Sequence, residues 1–349
     1  MEMLKRFRKG EKLKICVVGG GNVGSLLLGD LGSNEQVSVS LLTSRPQEWR
    51  STIEVCSPSG NVKYSGKIDY ISDRPEEVVE GADIIFSTVP SNVFPSVIQQ
   101  IRPHIKHKAW LGVMPGTGGA EFYSAGLGMD CVLFGFQRVH GIARIKKYGR
   151  SVYDLGKKNQ LYIASIPPEH TITVCLLVEQ LLGIECNPLP NYLNVTLTPS
   201  NPILHTARLY SMFRDYRHGV YWEKPINFYE EWSDESSEIL MACDAELQFM
   251  CRRIKGLDLT GVRSLREHYE SDTSAAMTRK IKSIQAFKGI NAPMVENPEG
   301  FIPDFQSRYF TEDFPYGLCI IKGIADILRM ETPRIDEVLQ WYETVTGVT

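Results

Sequence analysis

The chain has 349 residues, of which 43% are hydrophobic and 23% charged, and its formal net charge is −3. This length exceeds what one hydrophobic core usually supports, so two domains are expected. The charges are spread along the chain, which excludes the sustained positive field that nucleic acid or an anionic membrane requires. Small molecules are therefore the expected partners, and a homodimer is compatible with the sequence.

The eight cysteines form no C-x-x-C pair, and several lie in apolar runs, where a thiol behaves as a small hydrophobe. Neither a metal site nor a disulfide framework is predicted. The basic N-terminal segment lacks the apolar centre of a signal peptide, and no run approaches the ~20 apolar residues of a membrane span. These features predict a cytoplasmic protein.

From residue 13 to residue 187, short apolar runs alternate with amphipathic stretches. Strands are predicted at 13–19, 37–42, 82–90, 109–116 and 131–137, and helices from 22, near 93–101 and near 168–182. This alternation is typical of a doubly wound, mostly parallel α/β sheet. The segment 142–165, with short β-like runs separated by glycine and lysine, predicts a hairpin added to that sheet.

After the connection at 189–199, helical periods predominate. Helices are predicted at 202–216, 229–254, 262–269, 272–288, 316–329 and 333–345. The sequence therefore predicts an α/β nucleotide-binding domain over 1–190, followed by an all-α substrate domain over 191–349.

The glycine cluster GGGNVG (19–24) follows a strand-like run and precedes a helix-like one, as in a dinucleotide-binding turn. Gly19 would allow the tight turn, Gly21 the approach of a diphosphate, and Gly24 the packing of helix on strand. The diphosphate would rest on the free N–H groups of the helix N-terminus, which contains Asn22 and Val23. A glycine turn without a ligand is the alternative.

The end of the second strand distinguishes the two nicotinamide cofactors. An NAD site places a carboxylate there for the ribose hydroxyls, whereas this chain has Thr43, Ser44 and Arg45. Two hydroxyls and a guanidinium suit a 2′-phosphate, so NADPH is the expected preference and NAD the second candidate. In the other interpretation, Arg45 is a solvated loop residue.

Two further segments end at the carboxyl edge of the predicted sheet, STVPSNVFP (87–95) and VMPGTGGAEF (113–122). Open α/β sheets bind their ligands at this edge. Pro90 and Gly118 are therefore expected at the nicotinamide end, although loop glycines also serve turn geometry alone.

One of the seven histidines, His205, lies at the start of a predicted helix, in TPSNPILHTARLY. Ser200 or Asn201 is a natural N-cap for that helix, and Pro202 is a natural first helical residue. Reduction of a carbonyl or an imine needs a proton donor, and the ordinary histidine pKa of ~6.5 suits that task. His205 is the candidate general acid and base, and a structural histidine is the alternative that spacing alone leaves open.

The stretch FQSRYFTEDFPYGL (305–318) offers Arg308 and Asp313. Five residues apart on a regular helix, they would point about 140° apart, so a shared site requires a bend. In the alternative interpretation, Asp313 caps a helix that begins near Pro315, and Arg308 is a surface residue. Spacing alone leaves both interpretations open.

Together the glycine turn, NPILH (201–205) and RYFTEDFPYGL (308–318) resemble the octopine dehydrogenase family of opine dehydrogenases. The resemblance implies a Rossmann domain, a helical domain like that of 6-phosphogluconate dehydrogenase, and NAD(P)H-dependent condensation of an amino acid with a 2-oxo acid through an imine. It also implies that His205 transfers protons, that Arg308 clamps a substrate carboxylate and that Asp313 orients the histidine.

The chain departs from the best-known family members, which often use NAD, and its amine pocket is not defined by motif. Tyr221, Trp222 and Phe228 either line that pocket or belong to the core, and Arg144 resembles an arginine of a recurring family stretch. Two other functions remain open: an NADPH-dependent reductase similar to ketopantoate reductase, in which a lysine is expected where His205 stands, and a non-catalytic NADP-binding sensor.

Overall fold

The computed structural model describes residues 2–125 and 131–348. The chain divides into two compact units, Met1–Thr196 and Leu197–Thr349. Within the described ranges, no helix combines the length and the apolar character that crossing a membrane requires.

The first unit is built from strands that alternate with helices. Its strands are β1 (Leu13–Val18), β2 (Val37–Leu42), β3 (Thr52–Cys56), β4 (Val62–Lys67), β5 (Tyr70–Ser72), β6 (Ile84–Ser87), β7 (Trp110–Val113), β8 (Val132–Phe136), β9 (Gly141–Lys147), β10 (Ser151–Lys157), β11 (Gln160–Ile166) and β12 (Glu185–Pro188). Its helices are α1 (Glu2–Arg8), α2 (Asn22–Gly32), α3 (Pro75–Val78), α4 (Phe94–Ile101), α5 (Ala120–Ser124), α6 (Thr171–Leu182) and α7 (Leu193–Thr196).

The main sheet has eight strands in the order β5-β2-β1-β6-β7-β8-β11-β12, parallel except where β11 meets β8. Every residue of β6, β7 and β8 is buried, as expected for strands covered on both faces. The first six strands follow the doubly wound dinucleotide-binding order, whose direction reverses between β1 and β6. The predicted Rossmann-type sheet is confirmed.

A second sheet, in the order β4-β3-β10-β9, packs against α2. The hairpin β9–β10 belongs to this sheet, with Ser151 paired to Glu54 of β3. The prediction that segment 142–165 extends the main sheet is therefore wrong for these two strands, and only β11 joins it. The cause is that β3, which the sequence pattern does not predict as a strand, supplies the edge to which β10 pairs.

Small and charged residues of α2 attach it to the second sheet. A Cβ atom at Gly29 would lie 2.3 Å from Val55 Cγ2, so only glycine allows this approach. The buried carboxylate of Asp30 accepts hydrogen bonds from Lys157 Nζ at 2.7 Å, from His140 Nε2 at 3.1 Å and from the Tyr64 hydroxyl. Burial alone would raise the pKa of Asp30, but these bonds hold the pKa below its ordinary value.

The second unit is mostly helical, with α8 (Asn201–Phe213), α9 (Asp234–Arg253), α10 (Leu265–Tyr269), α11 (Ser274–Ser283), α12 (Arg308–Thr311), a π-helical turn (Phe314–Leu318), α13 (Cys319–Ile327) and α14 (Pro333–Thr346). It also contains a hairpin, β13 (Met294–Asn297) and β14 (Gly300–Pro303), which the helical periods did not predict.

The helix predicted at 229–254 begins only at Asp234. Ser233 is its N-cap, and the Ser233 side chain accepts the backbone N–H of Ser236. The preceding residues form a turn, and the Phe228 N–H donates to the carbonyl of Ile290. The segment 228–232 is therefore a loop, and it contains the buried Tyr229.

Candidate active site

The turn after β1 has the geometry that a diphosphate requires. Gly19 has a φ of 103°, and a Cβ atom at Gly24 would lie 2.0 Å from the Gly19 carbonyl oxygen. By contrast, a Cβ atom at Gly21 would meet nothing within 4 Å. Gly24 is thus needed for packing, whereas the backbone at Gly21 is open toward a ligand at the N-terminus of α2.

Asn22 and Val23 form the first helical turn of α2 and hold it in place. Asn22 Oδ1 accepts the backbone N–H of Ile145 at 2.8 Å, and Val23 packs against the core of the first unit. Asn22 remains exposed despite this bond and Val23 is partly buried, and the backbone N–H groups of this turn are what it offers an anion.

Arg45 lies at the carboxyl end of β2 and is held by an aromatic ring. Its guanidinium is 4.0 Å from the ring centroid of Tyr148 and 3.5 Å from Glu48 Oε1. Thr43 is buried and Oγ1 accepts the Arg45 backbone N–H, whereas Ser44 is exposed. Stacking on tyrosine attracts a guanidinium, so the Arg45 side chain is positioned by Tyr148 while it remains 53% exposed.

Tyr148 was missed by sequence reasoning, because it lies about a hundred residues from Arg45. It belongs to the turn between β9 and β10 and makes an edge contact with Trp49 at 5.5 Å. The second sheet places that turn beside the end of β2, and this contact brings Tyr148 to Arg45.

Pro90 and Gly118 follow β6 and β7 at the carboxyl edge of the main sheet. The Pro90 carbonyl accepts N–H groups at the start of α4, and Gly118 has a φ of 89°, which favours glycine. Next along the chain, Glu121 is largely buried, and its Oε1 accepts the Thr196 hydroxyl. Its Oε2 has no hydrogen-bond partner among the described residues, and burial raises the pKa of Glu121 to about 7.

In the second unit, both ring nitrogens of His205 are hydrogen-bonded. Nδ1 is 2.8 Å from Asp313 Oδ2, and Nε2 is 2.9 Å from the Tyr229 hydroxyl. A carboxylate only accepts, so Nδ1 carries the proton and Nε2 of the neutral ring accepts from the tyrosine. The side chains of His205 and Asp313 are only 10% and 13% exposed, which strengthens their interaction.

Asp313 reaches the histidine because the helix is interrupted. Helix α12 ends at Thr311, and the π-helical turn starts at Phe314. Phe314 is buried and stacks on Tyr342 at 4.2 Å, and a Cβ atom at Gly317 would lie 2.8 Å from Pro202. The turn is thus packed against the start of α8. Asp313 occupies the N-cap position of this turn but makes no side-chain capping bond there; its carboxylate is bonded to His205 instead.

Arg308 lies outside the hydrogen-bonded chain that contains His205. Its guanidinium is 67% exposed, and Nε and Nη2 both donate to Glu312 Oε2, at 3.0 and 2.5 Å. The structure thus brings His205 and Asp313 together and adds Tyr229, whereas Arg308 is paired with its own neighbour.

Aromatic rings enclose the histidine. Phe228 is fully buried and lies edge-on to His205 at 5.6 Å, and Tyr309 lies at 4.7 Å. Of the other two aromatics considered for an amine pocket, Trp222 stacks on Tyr216 and Tyr221 is exposed.

Arg144 lies on β9 in the first unit. Its Nη1 donates to the carbonyl of the preceding residue, Ala143, and Arg144 faces Tyr153 across the β9–β10 ladder. This places the arginine in the second sheet, and nothing in these contacts assigns it a role.

A buried arginine fixes the loop that carries Tyr229. Arg208, one turn after His205 on α8, donates to the carbonyls of Phe228 at 3.0 Å and Glu231 at 2.8 Å, and to Ser236 Oγ at 3.1 Å. Burial lowers the pKa of Arg208 to about 10, so the side chain remains cationic at neutral pH. Sequence reasoning missed this contact, and the only local indication was an arginine three residues after His205 on the same helix.

Comparison with known proteins extends over both units. Residues 188–346 match the sequence model for the alpha-helical domain of NAD/NADP octopine/nopaline dehydrogenases, and residues 14–116 match that of coenzyme F420-dependent NADP oxidoreductases. Opine dehydrogenase of Haliotis discus hannai is 29% identical over 374 residues, spanning 97% of this chain and 91% of that protein. Tauropine dehydrogenase of Arabella iricolor is 27% identical over 370 residues, with 96% and 91% covered.

A solved structure of octopine dehydrogenase with NADH and pyruvate has a TM-score of 0.82 to this chain. Its sequence identity is 25%, with 96% of this chain and 90% of that chain covered. A Rossmann sheet with an open glycine turn, followed by a helical domain of this type, defines an NAD(P)-dependent oxidoreductase. Within that class, the helical unit matches the octopine/nopaline dehydrogenase model and the whole chain is similar to opine dehydrogenases, which confirms the resemblance found in the sequence.

Proposed function

We propose that the protein is an opine dehydrogenase that prefers NADPH. It would join the amino group of an amino acid to a 2-oxo acid through an imine and release an N-(carboxyalkyl)amino acid. The observation that carries the proposal is the His205–Asp313 hydrogen bond, which supplies an oriented proton donor in a chain similar along its whole length to opine dehydrogenases.

His205 and Asp313 would manage the protons of imine formation. Addition of the amine to the oxo acid gives a carbinolamine, whose hydroxyl must be protonated before it leaves as water. The imidazolium of His205 donates that proton, and the neutral ring recovers one in the reverse direction. Asp313 holds Nδ1–H, keeps Nε2 as the exchanging nitrogen and stabilises the imidazolium.

Features of the nucleotide site support a dinucleotide that carries a 2′-phosphate. The backbone at Gly21 and the N-terminus of α2 would hold the diphosphate, and Arg45 with Thr43 would hold a 2′-phosphate. The absence of a carboxylate from the end of β2 supports NADPH over NADH. When bound, the nicotinamide supplies the hydride that reduces the imine.

Arg308 is proposed as the carboxylate clamp for the oxo acid. Its guanidinium is exposed and already makes a charge-assisted pair with the carboxylate of Glu312. A substrate carboxylate would exchange with Glu312 for the same guanidinium, and a planar fork suits that exchange.

The test is NADPH oxidation with a matrix of 2-oxo acids and amines, starting with pyruvate and 2-oxoglutarate. We expect oxidation only when both substrates are present, and a product with the mass of oxo acid plus amine, less one water and plus two hydrogens. His205→Ala should reduce turnover by about 10²- to 10⁴-fold and leave NADPH affinity unchanged, whereas His104→Ala serves as the matched control.

The other outcomes separate the alternatives. Reduction of an oxo acid without amine, with a 2-hydroxy acid as product, would favour a reductase similar to ketopantoate reductase. NADPH binding without turnover of any pair would favour a sensor. Retained turnover in His205→Ala would exclude the histidine as the proton donor.

A further inference from the structure

The exchanging nitrogen of His205 is already occupied. Nε2 has one in-plane lone pair, and the Tyr229 hydroxyl lies 2.9 Å from it, while Asp313 occupies Nδ1. Phe228 and Tyr309 cover the ring. A substrate must therefore either displace Tyr229 or receive its proton through the tyrosine oxygen.

We propose that Tyr229 is the proton relay between His205 and the substrate, an inference that rests on the proposed opine dehydrogenase activity. In the forward step, the Tyr229 O–H proton moves to the departing carbinolamine hydroxyl, and the tyrosine oxygen takes the Nε2 proton of the imidazolium. Water leaves, the imidazole becomes neutral, and the tyrosine returns to its starting state. A phenol suits this step because its oxygen accepts one hydrogen bond while donating another.

The surroundings of Tyr229 hold its hydroxyl in place. Its ring stacks on Phe287 at 4.1 Å and on Trp232 at 6.2 Å, with interplanar angles of 16° and 5°. Arg208 binds the carbonyls on either side, at Phe228 and Glu231. Such prior positioning is what a proton-transfer group needs, because small misplacements slow the step strongly.

The decisive variant is Tyr229→Phe, which keeps the stacked ring and removes only the hydroxyl. We expect kcat to fall by about 10²-fold, the lower end of the range for a lost acid–base route, because water can partly replace the hydroxyl. The Kd for NADPH and the KM for the oxo acid should stay close to those of the wild type. The matched control is Tyr210→Phe, which removes a hydroxyl bonded to Glu337 at 2.6 Å on the same helix as His205 and should leave kcat unchanged.

Non-additivity separates a relay from a packing role. If Tyr229 acts through His205, adding Tyr229→Phe to His205→Ala should cause no further loss of kcat, since residues that act as a unit are not additive. A second readout does not need activity. The ¹⁵N resonance of unprotonated His205 Nε2 should move downfield in Tyr229→Phe, toward an imidazole nitrogen with no donor.

The relay is overturned by wild-type turnover in Tyr229→Phe, by an equal loss in Tyr210→Phe, or by an additive double variant. If Tyr229→Phe does not fold, 3-fluorotyrosine at position 229 keeps the hydroxyl and the stacked ring but has a more acidic phenol. An altered kcat then supports the relay, and an unaltered kcat rejects it. Full activity of Tyr229→Phe beside an inactive His205→Ala rejects the relay alone, whereas an inactive wild type with every substrate pair rejects the proposed function.

Discussion

Glu121 should make the stability of the protein depend on pH in the direction opposite to most carboxylates. Its pKa is raised from 4.5 to about 7 in the folded chain, so the folded state binds more protons than the unfolded state between these values. Stability is therefore highest where the side chain is protonated in both states, and it falls as the pH rises from 4.5 through 7. The difference between the two pKa values corresponds to about 3 kcal/mol at alkaline pH.

The perturbation is Glu121→Gln, which resembles the protonated acid and still accepts the Thr196 hydroxyl. In urea unfolding, we expect the variant to be more stable than the wild type by about 3 kcal/mol at pH 8 and by less than about 1 kcal/mol at pH 5. The exposed carboxylate control, Glu80→Gln, should show no such trend. Parallel pH profiles for Glu121→Gln and the wild type would refute the reasoning.

Variants at three residues test the proposed site. Arg45→Ala should raise the KM for NADPH by about 10- to 100-fold, the loss expected for a charged hydrogen bond. The KM for NADH should change little, and equal effects on both cofactors would reject the 2′-phosphate assignment. Arg308→Ala should raise the KM for the oxo acid by a similar factor of about 10 to 100. Arg308→Lys should have an intermediate effect, because lysine keeps the charge and loses the planar fork of the guanidinium. A selective loss of amine affinity would show that the clamp serves the other substrate. Asp313→Asn should lower kcat by about 10²- to 10⁴-fold with NADPH binding intact, whereas Asp326→Asn on α13 should not, and an active Asp313→Asn would exclude the orienting role.

The central strands of the main sheet were predictable because they are short, mostly apolar runs. β2 has the predicted bounds, and β6 and β7 lie inside the predicted segments. The second sheet was not predictable, because β3 is half exposed and pairs with β10, about a hundred residues away. A local pattern contains no information about which edge a hairpin will join.

The candidate site was likewise predictable only in part. His205 and Asp313 were identified from short motifs, and the structure brings them into contact. Tyr229 was not, since its segment was predicted to be helical and its position depends on bonds from Arg208 to two loop carbonyls. Arg308 was grouped with the histidine by resemblance, but its pairing with Glu312 depends on a side-chain conformation that no motif specifies.

Through Asp30, helix α2 links the glycine turn to the second sheet. One end of this helix presents Gly21 and its N–H groups to a diphosphate, while Asp30 near the other end joins it to Lys157, His140 and Tyr64. A nucleotide that binds only the folded turn stabilises everything that must be folded with that turn. Saturation with NADPH should therefore slow amide hydrogen exchange in β4 and β10, strands that supply no residue of the glycine turn. The stability of the second sheet would then depend on whether the cofactor is bound.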